Sequence, residues 1–291
     1  MNRPIDPHDA APESGERIRH CGITSAAPLF SAPGLADLQS TMRPGVLCVF
    51  DFDGTLAPIV AEPDRAALPV AIRDRLLRLQ MLTPVAILTG RSIGDIGQRL
   101  AFAPDYLVGN HGLEGLPDSA ARREEFADLC AGWRQAIDAA LADGRRFDPA
   151  IGIEDKAISL SLHYRQVKDA VASAAALRLL LATLSPPPRI IAGKCVFNLL
   201  PQDAGDKGTA FIELMRLAKA KKALYVGDDV TDEDVFTLRR GDVLSIRIGE
   251  SDGSAAPYFL RRYHDVALLL DTMIIDLQVA ATSTRSAQWG T

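Results

Sequence analysis

Three short apolar runs decide what this chain can fold into: residues 46–50 (VLCVF), 84–88 (PVAIL) and 106–108 (YLV). Each is too short for a helix and runs at once into polar and Gly-bearing residues, as buried strands of a parallel sheet do. Behind Pro69, the residues Ile72, Leu76, Leu79 and Leu82 recur at three- and four-residue steps, with Arg73, Asp74, Arg75 and Arg78 on the opposite side. That spacing predicts an amphipathic helix between the first two strands. Ser92 is placed to cap a second helix over 93–101. Strand, helix, strand, helix, strand with short connections implies right-handed crossovers and a sheet covered on both faces.

The pattern changes after residue 112. One long amphipathic helix is expected over 122–143, then a segment at 157–164 (AISLSLHY) that alternates apolar and polar residues like a half-exposed antiparallel strand. A helix over 167–183, three prolines at 186–188 and two strand-like runs at 189–192 and 195–200 follow. The first pattern then resumes, with helices expected over 207–219, 232–239 and 264–280 and strands over 223–226 and 243–248. The fold class expected is therefore α/β: a Rossmann-like parallel-sheet core in two pieces, 41–111 and 203–282, split by an inserted α+β domain over 112–202. Residues 1–40, rich in Pro, Gly, Ala and Ser, read as a flexible leader, at most weakly helical near Leu35–Ser40, and 283–291 as a loose tail.

The 32 Lys+Arg against 37 Asp+Glu give a net charge of −5, without the basic excess that nucleic-acid binding usually shows. No stretch approaches the roughly 18 uninterrupted apolar residues of a membrane helix, and the N-terminus has no apolar signal core. Cys21, Cys48, Cys130 and Cys195 are far apart with no CxxC pair. A reduced, cytoplasmic protein without nucleic-acid or membrane partners is expected.

The chemistry concentrates at strand ends, where ligands bind in open α/β sheets. Asp51 and Asp53 close the first strand in FDFDGTL. Two acids that close, lodged against an apolar strand, demand a cation or a raised pKa, which a polar turn with one capping Asp would not explain. A second cluster, GDDVTDED at 227–234, follows the strand expected at 223–226. Acids there also suit a helix start, and that accounts for Glu233 and Asp234. Asp228, at the strand terminus, is expected to share a hard cation with Asp51, and Mg²⁺ takes one or two carboxylates together with phosphate oxygens. Thr89 ends the second strand and Lys207 opens a helix. A hydroxyl, an ammonium and helix N-terminal amides are means of holding a phosphoryl group.

The order DFDGT, Thr89, Lys207, GDDVTDED resembles the four motifs of the haloacid dehalogenase superfamily of phosphotransferases. The segments FDFDGTLAPIV, ILTGRS, GNHGLE, EDKAISLSLHYR, GKCVFNLLP, DKG and GDDVTDEDVF are similar, in the same order, to its trehalose-6-phosphate phosphatase branch. The resemblance implies Mg²⁺-dependent hydrolysis of a sugar phosphate, trehalose 6-phosphate first, through an aspartyl-phosphate. It also implies a cap over 112–202 that closes on the sugar, and a functional link to trehalose-6-phosphate synthase. By the same resemblance Asp51 is the nucleophile and Asp53 the acid and base. Thr89 and Lys207 hold the phosphoryl oxygens, and Mg²⁺ lies on Asp51, the Asp53 carbonyl and Asp228. Asp232 orders metal waters or Lys207.

On the sugar side the resemblance implies Lys156, His163, Arg165, Lys194 and Asn198 as substrate contacts. The family pattern has Glu where Asn198 stands and a basic residue where Leu200 stands. An amide both accepts and donates where a carboxylate only accepts, so a cap variant acting on another sugar or glycosyl phosphate is the alternative. A non-catalytic sugar-phosphate-binding domain is the other. Asn110 and His111 fall near the cleft, with a satisfied core histidine as the bland alternative. Arg91, beside Thr89, is a candidate substrate contact or an ion-pair partner of Asp95.

Overall fold

The computed structural model describes residues 26–60, 65–117, 122–142, 144 and 146–288. Two sheets organise them. The larger has seven strands, all parallel: β1 (Ala27–Pro28), β2 (Leu47–Phe50), β3 (Val85–Leu88), β4 (Tyr106–Val108), β9 (Ala223–Gly227), β10 (Val243–Ile248) and β11 (Tyr258–Leu260). Their spatial order is β1-β11-β10-β9-β2-β3-β4. The chain thus builds outward from β2 in one direction and, after a long detour, from β9 in the other. The boundary between β2 and β9 is a topological switch point, where a crevice opens at the carboxyl ends of the strands.

Both faces of this sheet are covered. Cys48, Phe50, Ile87, Leu224, Val226 and Ile246 point to one side, onto α1 (Ala32–Thr41), α2 (Val70–Gln80), α3 (Ile93–Leu100) and α8 (Asp265–Gln288). Leu47, Val49, Ala86, Leu88 and Tyr225 point to the other, onto α6 (Lys207–Leu217) and the short α7 (Glu233–Phe236). Strand residues alternate between the two clusters as the pleat requires, which is why these runs are apolar throughout.

The second sheet is antiparallel, in the order β5-β6-β8-β7: β5 (Gly152–Asp155), β6 (Leu160–His163), β7 (Arg189–Gly193) and β8 (Val196–Leu200). Leu160, Leu162, Phe197 and Leu199 face α4 (Arg123–Leu141) and α5 (Ala170–Leu181), around Trp133, Ile137 and Leu177. Its other face is polar and looks onto the crevice of the larger sheet.

Two expectations are corrected. Of the supposed leader, residues 1–25 lie outside the described residues, but Ala27–Pro28 pairs in parallel with β11 and α1 follows. Ser31 caps that helix by accepting from the Gly34 amide, and Leu38 and Met42 are fully buried. A segment rich in small residues shows little periodicity, yet one leucine and a methionine four residues apart suffice once a sheet edge is there to receive them. At the other end, α8 runs on to Gln288 instead of loosening at 283. By length and composition residues 265–283 would pass for a membrane span, but Val266, Leu269, Leu270, Met273, Ile274 and Leu277 are packed into the core.

Candidate active site

Asp51 follows β2 and is 5% exposed, its amide still paired to Val226 of β9 at 2.9 Å. Lys207 opens α6, where Asp206 and Thr209 form a reciprocal cap. Its ammonium, 2% exposed, donates to Asp51 Oδ1 at 2.7 Å and to Asp232 Oδ1 at 2.8 Å. Burial opposes the ammonium, yet Asp232 and Asp51 hold its pKa above the usual lysine range. Burial also dominates at Asp51, where Lys207 opposes it and Asp232 and Asp228 reinforce it, so the carboxyl is pushed well up.

Asp51, Asp228 and Asp232 have carboxylate oxygens within 4.8 Å of one another, but they are not equivalent. Asp232 accepts from Lys207, from Tyr225 OH at 2.6 Å and from the amides of Asp228 and Asp229 at 2.8 Å each. It is saturated, and its task is to hold Lys207 and the loop after β9. Asp228 Oδ1 is buried without a hydrogen-bond partner, and burial, then Asp232 and Asp229, push its carboxyl up to about 7. A Cβ on Gly54 would lie 2.1 Å from Asp228 Oδ2, so the turn after Asp53 keeps that space clear. An orphaned carboxylate oxygen beside a buried carboxylate, with only oxygen donors, fits a hard divalent cation. Asp51 and Asp228 are the side chains that would hold it.

Around this centre lies a cavity of about 520 Å³, within the roughly 300–1,000 Å³ of small-molecule sites. Asp51, Asp53, Thr89, Arg91, His111, Lys207 and Asp228 line it from the larger sheet, and Glu154, Lys156, His163, Arg165, Lys194 and Asn198 from the smaller. Register explains the second group. Glu154, Ser161, Asn198 and Ile191 stand opposite one another across four strands, as do Gly152, His163, Val196 and Gly193. Directly paired residues share a face, so both rows look into the crevice.

Lys156 Nζ crosses to the Gly90 carbonyl at 3.1 Å, and burial above all lowers its pKa. Arg165 reaches the Val60 and Lys194 carbonyls at 3.4 and 3.3 Å. Asn198 pairs with Ser161 Oγ at 2.7 Å. His163 meets Glu154 at 2.9 Å. Burial works against the Glu154 charge, but His163 and Lys156 hold its carboxyl below the usual range.

Asn110 does not line the cavity. It is fully buried and accepts from Ser159 Oγ at 3.0 Å. Its neighbour His111 does line it, packed so closely over Gly90 that a Cβ there would sit 2.5 Å from the ring. Its Nδ1 has no partner, and burial, then Lys207, Lys156 and Arg189, keep its pKa well below the usual value. Leu200 is fully buried among Leu113, Phe126 and Ile158, so of the two departures from the family pattern only Asn198 touches the cleft. Sequence reasoning passed over Glu154, although Glu154 and Lys156 are two apart and so share a strand face.

The profile of the Trehalose-phosphatase family matches residues 49–261. The chain belongs to that family. A trehalose-phosphate phosphatase of Mycobacterium bovis is 33% identical over 215 residues, 71% of this chain and 54% of that protein. An uncharacterized glycosyl hydrolase of Mycobacterium tuberculosis is 31% identical over 258 residues, 84% of this chain and 19% of that protein. This chain therefore spans about half the length of the curated phosphatase and a fifth of the second relative. Among solved structures, the C-terminal domain of Candida albicans trehalose-6-phosphate phosphatase covers 86% of this chain and 99% of its own, with a TM-score of 0.65 at 20% identity. That likeness shows that this member of the trehalose-phosphatase family shares the fold of that domain.

Proposed function

We propose that the protein is a Mg²⁺-dependent phosphatase that hydrolyses trehalose 6-phosphate to trehalose and inorganic phosphate. The observation that carries the reading is Asp51 itself. It is a buried carboxylate fixed by Lys207, next to the orphaned Asp228, at the floor of a cavity roofed by sugar-compatible polar side chains. Residues 112–202 act as the cap and the flanking pieces as the catalytic core. The free Cys48, Cys130 and Cys195 suit a reduced cytoplasmic setting, and trehalose-6-phosphate synthase would supply the substrate.

Asp51 attacks phosphorus in line with the sugar oxygen. A bond forms from the carboxylate to phosphorus, the phosphorus–sugar oxygen bond breaks, and Asp53 gives the leaving oxygen its proton. Water, giving a proton back to Asp53, then bonds to phosphorus and the Asp51 oxygen–phosphorus bond breaks, so phosphate leaves and both acids return to their starting state. Lys207 and the Thr89 hydroxyl hold the phosphoryl oxygens. Asp51, the Asp53 carbonyl and Asp228 would hold Mg²⁺, which would supply charge neutralisation when bound. On the cap, Lys156, His163, Arg165, Lys194 and Asn198, with His111 from the core, contact the sugar.

The test is phosphate release from trehalose 6-phosphate, glucose 6-phosphate, sucrose 6-phosphate and glucosylglycerol phosphate, with Mg²⁺ or with EDTA. Mg²⁺-dependent preference for trehalose 6-phosphate is expected, with Asp51→Asn inert but still binding. Preference for another sugar would keep the chemistry and move the substrate, and Asn198 is the observation that favours that second reading. Binding by wild type without turnover of any member would leave only a sugar-phosphate-binding domain.

A further inference from the structure

In the proposed reaction Asp53 must present its carboxyl group to one particular oxygen. Yet its side chain is 41% exposed at a wall of the cavity. A carboxylate so exposed ordinarily samples several rotamers. Here one residue prevents that. Arg91 Nε donates to Asp53 Oδ2 at 2.6 Å and Nη2 donates to Oδ1 at 2.7 Å. A two-pronged contact of this kind fixes the plane of the carboxylate as well as its distance.

Arg91 is itself held from several sides and is only 12% exposed. Its third nitrogen, Nη1, donates to Asp95 Oδ2 at 2.7 Å. Asp95 in turn accepts from Arg99 Nε at 2.9 Å, one turn further along α3, and Arg99 Nη1 reaches the Ala66 carbonyl at 3.1 Å. The guanidinium carbon lies 5.8 Å from the centre of the Phe52 ring. The Arg91 backbone is tied too, with its amide on Thr89 Oγ1 at 3.2 Å and its carbonyl accepting from the Asn110 amide at 2.7 Å. The frame therefore runs from a helix, through Asp95 and Arg91, to the exposed acid.

We propose that Arg91 is a positioning residue that aims Asp53 at the leaving oxygen of the substrate, and not a ligand of the phosphoryl group or the sugar. The proposal rests on the reading of Asp53 as the acid and base. Nη1 stays on Asp95 when an arm of the fork opens toward the incoming leaving oxygen, so the guanidinium keeps a carboxylate partner throughout.

The test compares two leaving groups in single-turnover experiments that read only release of the leaving group. Trehalose 6-phosphate loses an alkoxide that needs a proton, whereas p-nitrophenyl phosphate loses a phenolate that does not. Asp53→Asn is expected to slow the sugar substrate by about 100- to 10,000-fold and to leave nitrophenolate release near wild type. Arg91→Gln is expected to show the same selectivity at about 10- to 100-fold, with the half-saturating concentration of trehalose 6-phosphate within about three-fold of wild type. Arg91→Lys keeps the charge without the fork and should fall between wild type and Arg91→Gln. It carries the same comparison if Arg91→Gln loses its far-UV circular dichroism.

Weaker saturation by both substrates with an unchanged maximal rate would make Arg91 a ligand and overturn the proposal. Equal slowing of both substrates would make its role merely structural and would also overturn it. If Asp53→Asn slows both substrates equally, the reading of Asp53 fails first, and that result is visible without reference to Arg91.

Discussion

Lys207 Nζ donates to Asp51 Oδ1 at 2.7 Å across 156 residues of chain. The proposed nucleophile comes from the piece of core before the insertion and its ammonium from the piece after it, so the two meet only when both pieces have joined one core. Removing one partner of a buried ion pair leaves the other charge uncompensated, which costs about 3–5 kcal/mol. Lys207→Gln should therefore lower the urea midpoint as well as phosphatase turnover. A variant that loses turnover at full stability would show that the ammonium matters only to the phosphoryl group.

Gly54 has φ +85° and would place a Cβ 2.1 Å from the Asp228 carboxylate. Gly54→Ala adds a methyl where Asp228 must lie and forces a left-handed backbone on an L side chain. The expected outcome is weakened Mg²⁺ binding, read by calorimetric titration of the folded protein. Unchanged affinity would mean that Asp228 does not take part in holding the ion.

The Asp228 carboxyl is pushed up to about 7, by burial first and by Asp232 and Asp229 after it. An unfolded aspartate titrates near 4. Between those values the folded, metal-free protein keeps a proton that the unfolded chain has lost, so this group makes metal-free stability fall as pH rises from about 4 to about 7. A divalent cation binds the deprotonated form and reverses the effect. Thermal melts with Mg²⁺ and with EDTA should differ little at pH 5.5 and clearly at pH 8. Equal stabilisation at both pH values would contradict the assignment.

Much of this architecture is legible in the sequence because buried parallel strands are apolar on both faces. Residues 46–50, 84–88 and 223–226 stand out for that reason, and the carboxyl-terminal positions Asp51 and Thr89 follow directly. Asp228 is marked by the acidic turn after Tyr225 and Val226. What did not show has physical causes. β11 is three residues long and β1 two, too short for any periodicity, and both depend on β10 being in place. The fork of Arg91 on Asp53 joins residues 38 positions apart, and spacing along the chain carries no trace of it. Glu154 was hidden by a strand, β5, whose exposed and half-exposed residues give no apolar signal.

The N-terminal segment offers a test of the same point. Leu38 is fully buried beneath β10 and α8, and Tyr258 OH on β11 donates to Asp37 at 2.6 Å, so α1 is bound to the sheet edge by packing and by a hydrogen bond. A Cβ on Gly34 would lie 2.2 Å from the Leu29 carbonyl oxygen, which shows how closely the helix start folds back on the strand before it. Truncating a buried leucine to alanine typically costs about 2–5 kcal/mol through lost transfer energy and the cavity left behind. Leu38→Ala should therefore lower the urea midpoint by a corresponding amount. No residue of α1 lines the cavity, so turnover of the folded variant at 25 °C should match wild type. A variant as stable as wild type would mean that α1 behaves in solution as the flexible leader its composition suggests.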